Sequence, residues 1–179
     1  ALFQKKIWTL SKQFLKDIRM METFTTSNAM YNNDLLIYIC NLIEDHHLSY
    51  ILSRLEDRHF RSRYLPKQKT IIINTNWWNP PEIPFMAAHE LGHYINGDKG
   101  VMYYDHTYKW QEHRAFNRND DAFKEDQADL YGLDLIWNYA SSQGYTCEDP
   151  GEFMLQFGIP ERLKKVVAQK FESNNDLLF

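Results

Sequence analysis

Two histidines, His89 and His93, flank Glu90 in the run His-Glu-Leu-Gly-His, within a stretch from Pro84 to Gly97. Apolar residues recur there at helical spacing, with a proline at the start and a glycine at the end, so we predict one helix. Side chains four residues apart project from one helix face, one turn apart, so both imidazoles can reach the same metal ion. The Glu90 carboxylate would then meet a metal-bound water rather than the metal.

The H-E-x-x-H spacing is typical of zinc hydrolases, although a chain with seven histidines can also match it by chance, with ordinary core or surface histidines. The surrounding residues favour a metal site, because the histidines border the apolar stripe of a core-facing helix. That stripe consists of Ala88, Leu91, Gly92 and Ile95. We therefore predict that His89 and His93 bind a metal and that Glu90 acts on the water.

A catalytic zinc site needs a third protein ligand and an open fourth position. We predict a second helix from Asp120 to Tyr139, on which Glu125 and Asp129 fall in line with small and apolar residues. A buried carboxylate is unfavourable unless it is paired or binds a metal. We therefore predict Glu125 as the third ligand and Asp129 as the hydrogen-bond acceptor for a ligating histidine. The alternative is a helix rolled so that both acids face water.

Four segments, two of them on these helices, make a wider pattern. They are Thr70-Ile71-Ile72-Ile73-Asn74, Phe85-x-x-x-His89-Glu90-x-Gly92-His93-Tyr94, Glu125-x-x-Ala128-Asp129 and Phe157-Gly158-Ile159-Pro160. Together they resemble the ImmA/IrrE family of bacterial and phage metallopeptidases, over roughly residues 34–171. The resemblance implies metal ligands at His89, His93 and Glu125 and a catalytic acid and base at Glu90. It also implies a substrate, a helix-turn-helix transcriptional repressor whose cleavage switches on phage, mobile-element or stress genes.

The chain departs from the family pattern in two places. The segment Trp77-Trp78-Asn79-Pro80-Pro81 makes a bulky loop before the first predicted metal helix, and the connection from Gly97 to Asn119 is long and aromatic. Either segment could reshape a substrate groove. The long connection also offers donors for a reaction oxyanion, among which the sequence does not choose. They are Tyr103, Tyr104, His106, Tyr108 and His113.

Zinc is the expected cofactor, and manganese or another divalent transition metal would also suit a His-His-Glu site. Zinc lowers the pKa of its bound water towards about 7, and Glu90 would take the proton and hand it to the leaving amine. Two other functions stay open. One is a non-proteolytic regulator that binds a repressor or antitoxin, against which the intact Glu90 counts. The other is a broad-specificity housekeeping metallopeptidase.

Composition and charge indicate which partners and which cellular compartment to expect. A net charge of -4 leaves no domain-wide excess of basic residues to neutralise phosphates, which argues against direct nucleic-acid binding. No apolar run approaches the roughly 18 residues of a membrane span, and no signal-peptide pattern is visible. Cys40 and Cys147 lack metal-ligand spacing and suit reduced thiols in a cytoplasm, with one disulfide as the alternative. We therefore expect a cytoplasmic protein without membrane contacts.

The predicted organisation is a metallopeptidase domain over residues 30–179, with an amphipathic segment over residues 1–29 ahead of it. Ser27-Asn28-Ala29 before Met30 matches the remnant of a common affinity-tag cleavage, so this segment is either a helix packed on the domain or an added or tethered peptide. We expect a zincin-like α+β fold with a small antiparallel sheet packed against the metal-carrying helices. Helices are predicted at 33–45, 151–157 and 160–172, and strands at 48–55, 60–65 and 70–74.

Overall fold

Five helices and three strands form the part of the chain that the computed structural model describes, residues 31–98 and 118–175. The helices are α1 (Asn33–Asp45), α2 (Ile83–Ile95), α3 (Arg118–Ser142), α4 (Pro150–Phe157) and α5 (Lys164–Asn175). The strands are β1 (Ser49–Ser53), β2 (Arg63–Leu65) and β3 (Thr70–Asn74). The short 3₁₀ helices Pro80–Glu82 and Glu161–Leu163 lead into α2 and α5. The α+β class is thus confirmed, whereas the segment 1–29 lies outside the described residues.

Local capping explains where several helices begin. The Asn32 side chain accepts a hydrogen bond from the Leu35 N–H at 3.0 Å, so α1 starts where the sequence predicts. The Asp149 side chain does the same for the Glu152 N–H at 2.8 Å, at the start of α4. The longest helix, α3, extends beyond the predicted range of 120–139 at both ends.

The sheet is mixed, and the prediction of an antiparallel sheet is therefore wrong. β3 lies in the centre, with β1 parallel to it on one side and β2 antiparallel on the other. The tight turn 66–69 reverses the chain between β2 and β3, and the segment 54–62 reverses it once more before β2. After two reversals β3 runs in the direction of β1. Apolar alternation shows which side chains face the core, but it does not show which strand becomes the neighbour.

α2 lies at the centre of the domain, packed against α1, α3 and the sheet. Its residues from Ile83 to Gly92 are all buried. The large side chains that are fully buried in this core come from α2 itself, from the other four helices and from β3. They are Leu35, Ile39, Ile43, Ile71, Ile73, Phe85, Leu91, Leu133, Ile136, Phe157 and Val167. In the last turn of α2, Tyr94 packs against His46 and Tyr64, whereas Ile95 is 40% exposed rather than part of the inner stripe.

Small residues let α2 and α3 approach closely. A Cβ atom on Gly92 would lie 2.9 Å from the carbonyl oxygen of Ala128, closer than such atoms normally come. A Cβ atom on Gly132 would lie 3.2 Å from the backbone nitrogen of His89. The two glycines therefore set the separation of the helices at the level of the predicted metal ligands.

Neither cysteine forms a disulfide: Cys40 is buried and Cys147 is half-buried, each as a free thiol.

Among the helices of residues 31–98 and 118–175, none is both long enough and apolar enough to cross a membrane.

Gly158 ends α4 and packs against the turn that precedes the central helix α2. Its φ of 62° is in the left-handed region, and its N–H donates to the Met154 carbonyl, so it closes α4. A Cβ atom on Gly158 would lie 1.8 Å from the carbonyl oxygen of Pro81, in the 3₁₀ turn ahead of α2. Both the backbone conformation and the space therefore require glycine.

We predict that Gly158→Ala destabilises the protein much more than Gly144→Ala. Gly144 has a similar φ of 72°, but nothing lies within 4 Å of a Cβ atom there, so alanine should cost about 1 kcal/mol from backbone strain alone. At Gly158 the clash with Pro81 should add about 1–3 kcal/mol. Urea unfolding of both variants measures the difference, and equal losses would show that α4 does not press on this turn.

Candidate metal centre

The two histidines of α2 point at the same place. Their Nε2 atoms lie 3.1 Å apart, with the rings perpendicular and the ring centroids 4.7 Å from each other. Two nitrogens bound tetrahedrally to one zinc at 2.0–2.1 Å would be about 3.3 Å apart. The observed separation therefore fits a shared ion, as the spacing of His89 and His93 predicts.

Glu125 on α3 faces both histidines across the contact between the two helices. Its Oε2 atom lies 3.4 Å from Nε2 of His89, and its Oε1 atom lies 3.4 Å from Nε2 of His93. The ligand atoms of the three residues all lie within 4.8 Å of one another. His89, His93 and Glu125 thus form a group that could hold a metal ion. The alternative, a helix rolled so that Glu125 faces water, is wrong.

Each imidazole has a carboxylate at its other nitrogen. Nδ1 of His89 lies 2.7 Å from Oδ1 of Asp129, and Nδ1 of His93 lies 2.9 Å from Oδ2 of Asp98. A carboxylate accepts a hydrogen bond from Nδ1–H, which leaves the lone pair of Nε2 directed at the candidate site. The structure places Asp129 where the sequence predicts, whereas sequence reasoning missed Asp98.

A turn at the end of α2 brings Asp98 to His93. Gly97 has a φ of 73°, its N–H donates to the Tyr94 carbonyl, and the Asp98 N–H donates to the His93 carbonyl, both at 3.0 Å. This is a Schellman motif, which folds the chain back over the last helical turn. The predicted glycine cap at Gly97 was the available signal, since an acid just after such a cap can reach a histidine in the last turn.

Glu90 is buried beside the histidines and held by the sheet. Its Oε2 atom accepts a hydrogen bond from the backbone N–H of Tyr64 on β2, at 2.6 Å. Burial raises the pKa of Glu90 to about 7, although His89, His93 and the Tyr64 N–H act in the opposite direction. A carboxyl group with a pKa near neutrality can both accept and release a proton.

The candidate ligands change each other's pKa values through hydrogen bonds and charge. Burial lowers the pKa of His89, but its contacts with Asp129 and Glu125 outweigh burial and raise that pKa to about 9. The hydrogen bonds with His89 and His93 hold the pKa of Glu125 well below its usual range. Carboxylates thus surround the two imidazoles, and this concentration of negative charge favours a cation.

Arg162 is the second residue that sequence reasoning missed. Its Nε and Nη2 atoms donate to Oδ2 and Oδ1 of Asp129, both at 2.7 Å. Its guanidinium also lies over the Phe85 ring, 5.7 Å from the ring centroid. Arg162 follows the Phe157–Pro160 segment in sequence, and nothing in the helical periodicity connects it with α3.

Two segments are expected to shape a substrate groove, the loop Trp77–Pro81 and the connection from Gly97 to Asn119. In the first, the Trp77 indole N–H donates to Oε2 of Glu82 at 3.1 Å, and Trp78 is half-exposed. Residues 99–117 of the second connection lie outside the described residues, and with them the five candidate oxyanion donors, Tyr103, Tyr104, His106, Tyr108 and His113.

Comparisons of the chain with protein-family models, with curated proteins and with solved structures find no match in any of the three. Function is therefore inferred from the geometry and chemistry of this centre, together with the motifs in the sequence.

We predict that Asp98→Ala weakens zinc binding by about tenfold or more, because loss of the carboxylate frees the His93 ring to rotate and to change tautomer. Asp45→Ala, which removes an exposed acid at the end of α1, should leave the affinity unchanged. Competition with a chromophoric chelator measures both. An unchanged affinity in Asp98→Ala would mean that this contact does not orient His93 for a metal.

Proposed function

We propose that this protein is a zinc-dependent endopeptidase of the ImmA/IrrE type, with a zincin-like active site, that cleaves a helix-turn-helix transcriptional repressor. The observation that carries the chemistry is the convergence of His89, His93 and Glu125 with the buried Glu90 beside them. The substrate class rests on the sequence resemblance alone. A repressor substrate would place the reaction in the cytoplasm, where its cleavage derepresses phage, mobile-element or stress genes.

His89, His93 and Glu125 would hold the zinc ion, with two nitrogens and one carboxylate oxygen as in other catalytic zinc sites. Among the described residues three protein ligands converge, which would leave a position for water and substrate. When bound there, zinc supplies an activated water and polarises the scissile carbonyl. The same ligand set also accepts manganese or another divalent transition metal, and zinc is preferred because two imidazoles and tetrahedral spacing suit it.

Glu90 moves the proton in this scheme. Its Oε2 atom is held by the Tyr64 N–H, so Oε1 is the oxygen that takes a proton from the attacking water. The water oxygen bonds to the carbonyl carbon, the C–N bond breaks, and Glu90 returns the proton to the leaving amine nitrogen.

The position of β2 supports a peptide as the substrate. Within the described part of the chain, β2 pairs with β3 on one side only, and its Tyr64 N–H reaches Glu90 rather than β3. The outer edge of β2 therefore faces the candidate centre. An extended peptide can lie along such an edge, which would place a scissile bond beside Glu90.

The rival of a non-proteolytic regulator is less well supported. A purely structural zinc site usually has four protein ligands and no use for a general base. Here a buried glutamate stands next to a three-residue group, and a backbone N–H orients it. These features favour catalysis, while direct nucleic-acid binding finds no support in a chain with a net charge of -4.

The test is cleavage by the zinc-loaded protein of helix-turn-helix repressors encoded beside its gene, with unfolded casein as a second substrate. We expect one repressor to be cut at one or a few bonds and casein to stay largely intact. Extensive casein degradation would instead identify the housekeeping peptidase. No cleavage of any substrate by a protein that has bound zinc would favour the non-proteolytic regulator.

We predict that Glu90→Gln keeps zinc binding and loses cleavage by at least about a hundredfold, because an amide cannot carry the proton. Glu172→Gln, a change of the same kind at an exposed position of α5, should have wild-type activity. Mass spectrometry of the digests and zinc analysis of the same samples measure both effects. Wild-type activity in Glu90→Gln would contradict the proposed mechanism.

A further inference from the structure

A chain of short contacts connects the C-terminal part of the protein with the metal centre. Arg162, in the 3₁₀ helix Glu161–Leu163, binds both carboxylate oxygens of Asp129 at 2.7 Å. Oδ1 of Asp129 also lies 2.7 Å from Nδ1 of His89, whose Nε2 faces the centre. Two parallel hydrogen bonds from a guanidinium set the plane of a carboxylate as well as its position.

The Asp129 carboxylate needs such a partner to act on His89. With the imidazole as its only contact, the carboxylate could rotate about its Cβ–Cγ bond and present either oxygen at varying angles. Arg162 engages both oxygens, so the hydrogen bond to His89 has one geometry. The His89 ring, and with it the direction of the Nε2 lone pair, is then determined by residues on three separate elements.

Arg162 is itself held by its surroundings. Gly158 is pressed against Pro81, the Ile159 N–H donates to the Met154 carbonyl at 2.9 Å, and the guanidinium packs over the Phe85 ring of α2. These contacts seat the segment 158–162 between α4 and the start of α2. The Arg162 side chain therefore reaches Asp129 from a rigid support.

An ordinary ion pair between α3 and the C-terminal segment is the simpler interpretation, since the Arg162 side chain is 41% exposed and exposed pairs contribute little. The partner carboxylate, however, is only 9% exposed, and it is shared with a candidate ligand. This placement distinguishes the pair from Lys170–Asp134, which joins α5 to α3 at 2.6 Å without contacting the histidines.

We propose that Arg162 is a positioning residue of the metal centre, which holds the Asp129 carboxylate in the orientation that fixes His89 for the metal. The inference rests on the proposed metal centre and gives the C-terminal segment a part in metal binding.

The experiment measures the zinc affinity of the folded protein by chelator competition, with circular dichroism to confirm folding. We expect Arg162→Met to bind zinc about tenfold more weakly, in the range seen when a partner of a metal-bound histidine is lost. Arg162→Lys keeps the charge but not the paired hydrogen bonds, so an intermediate affinity is expected. Lys170→Met removes an ion pair between the same helix α3 and the C-terminal part of the chain, and it should bind zinc like the wild type.

A double variant separates positioning from general stability. If Arg162 acts through Asp129, Arg162→Met should cause no further loss of zinc affinity in an Asp129→Ala background, whereas a purely structural effect would appear in both backgrounds. Wild-type affinity in both Arg162→Met and Arg162→Lys would overturn the proposal, as would an equal loss in both backgrounds. A wild-type protein that binds no zinc would overturn the metal centre itself, which is a distinguishable result.

Discussion

The close contact between α2 and α3 decides whether this chain has a metal centre at all. His89 and His93 are on one helix and Glu125 is on the other, so the three can share an ion only at one separation of the two helices. Gly92 and Gly132 allow that separation, because a side chain at either position would meet the backbone of the facing helix. Metal–ligand bonds of about 2.0–2.2 Å leave little tolerance for a displaced helix.

The same contact buries His89, Glu90 and Asp129, and such polar or charged groups are unfavourable in a core unless they are paired. The structure pairs each of them. Asp129 and Asp98 lie within hydrogen-bond distance of the outer nitrogens of His89 and His93. Arg162 donates to Asp129, and the Tyr64 N–H donates to Glu90. Three of these pairs also orient a group that the proposed reaction uses, and the fourth, Arg162 with Asp129, orients the carboxylate behind His89. Burial and orientation are therefore two consequences of one network.

Much of this centre could be predicted from the sequence because helical spacing is a local property. Residues four apart on a helix share a face whatever the rest of the chain does, and this placed His89 with His93 and Glu125 with Asp129. The Gly97 cap and the inward face of α3 follow from the same reasoning. The bounds of α1 and of β3 were also predicted, from apolar periodicity and from a β-branched run.

The rest depends on how distant segments meet, which periodicity does not encode. The mixed sheet follows from two chain reversals, and the exposure of Ile95 shows that the inner stripe of α2 does not reach that residue. Arg162 reaches Asp129 from a distant segment in which Gly158 lies against Pro81. Asp98 is partly predictable, since the turn that places it is local and begins at the Gly97 cap that the sequence predicts.

The most direct test of the metal centre is the zinc content of the purified protein by elemental analysis, before and after equilibration with zinc. We expect about one zinc per chain in the wild type, as for a three-ligand catalytic site, and little or none in Glu125→Ala. Asp126→Ala, which removes an exposed acid next to Glu125 on α3, should retain the wild-type content. A wild type without zinc even after equilibration, or a Glu125→Ala variant with undiminished zinc, would contradict the account.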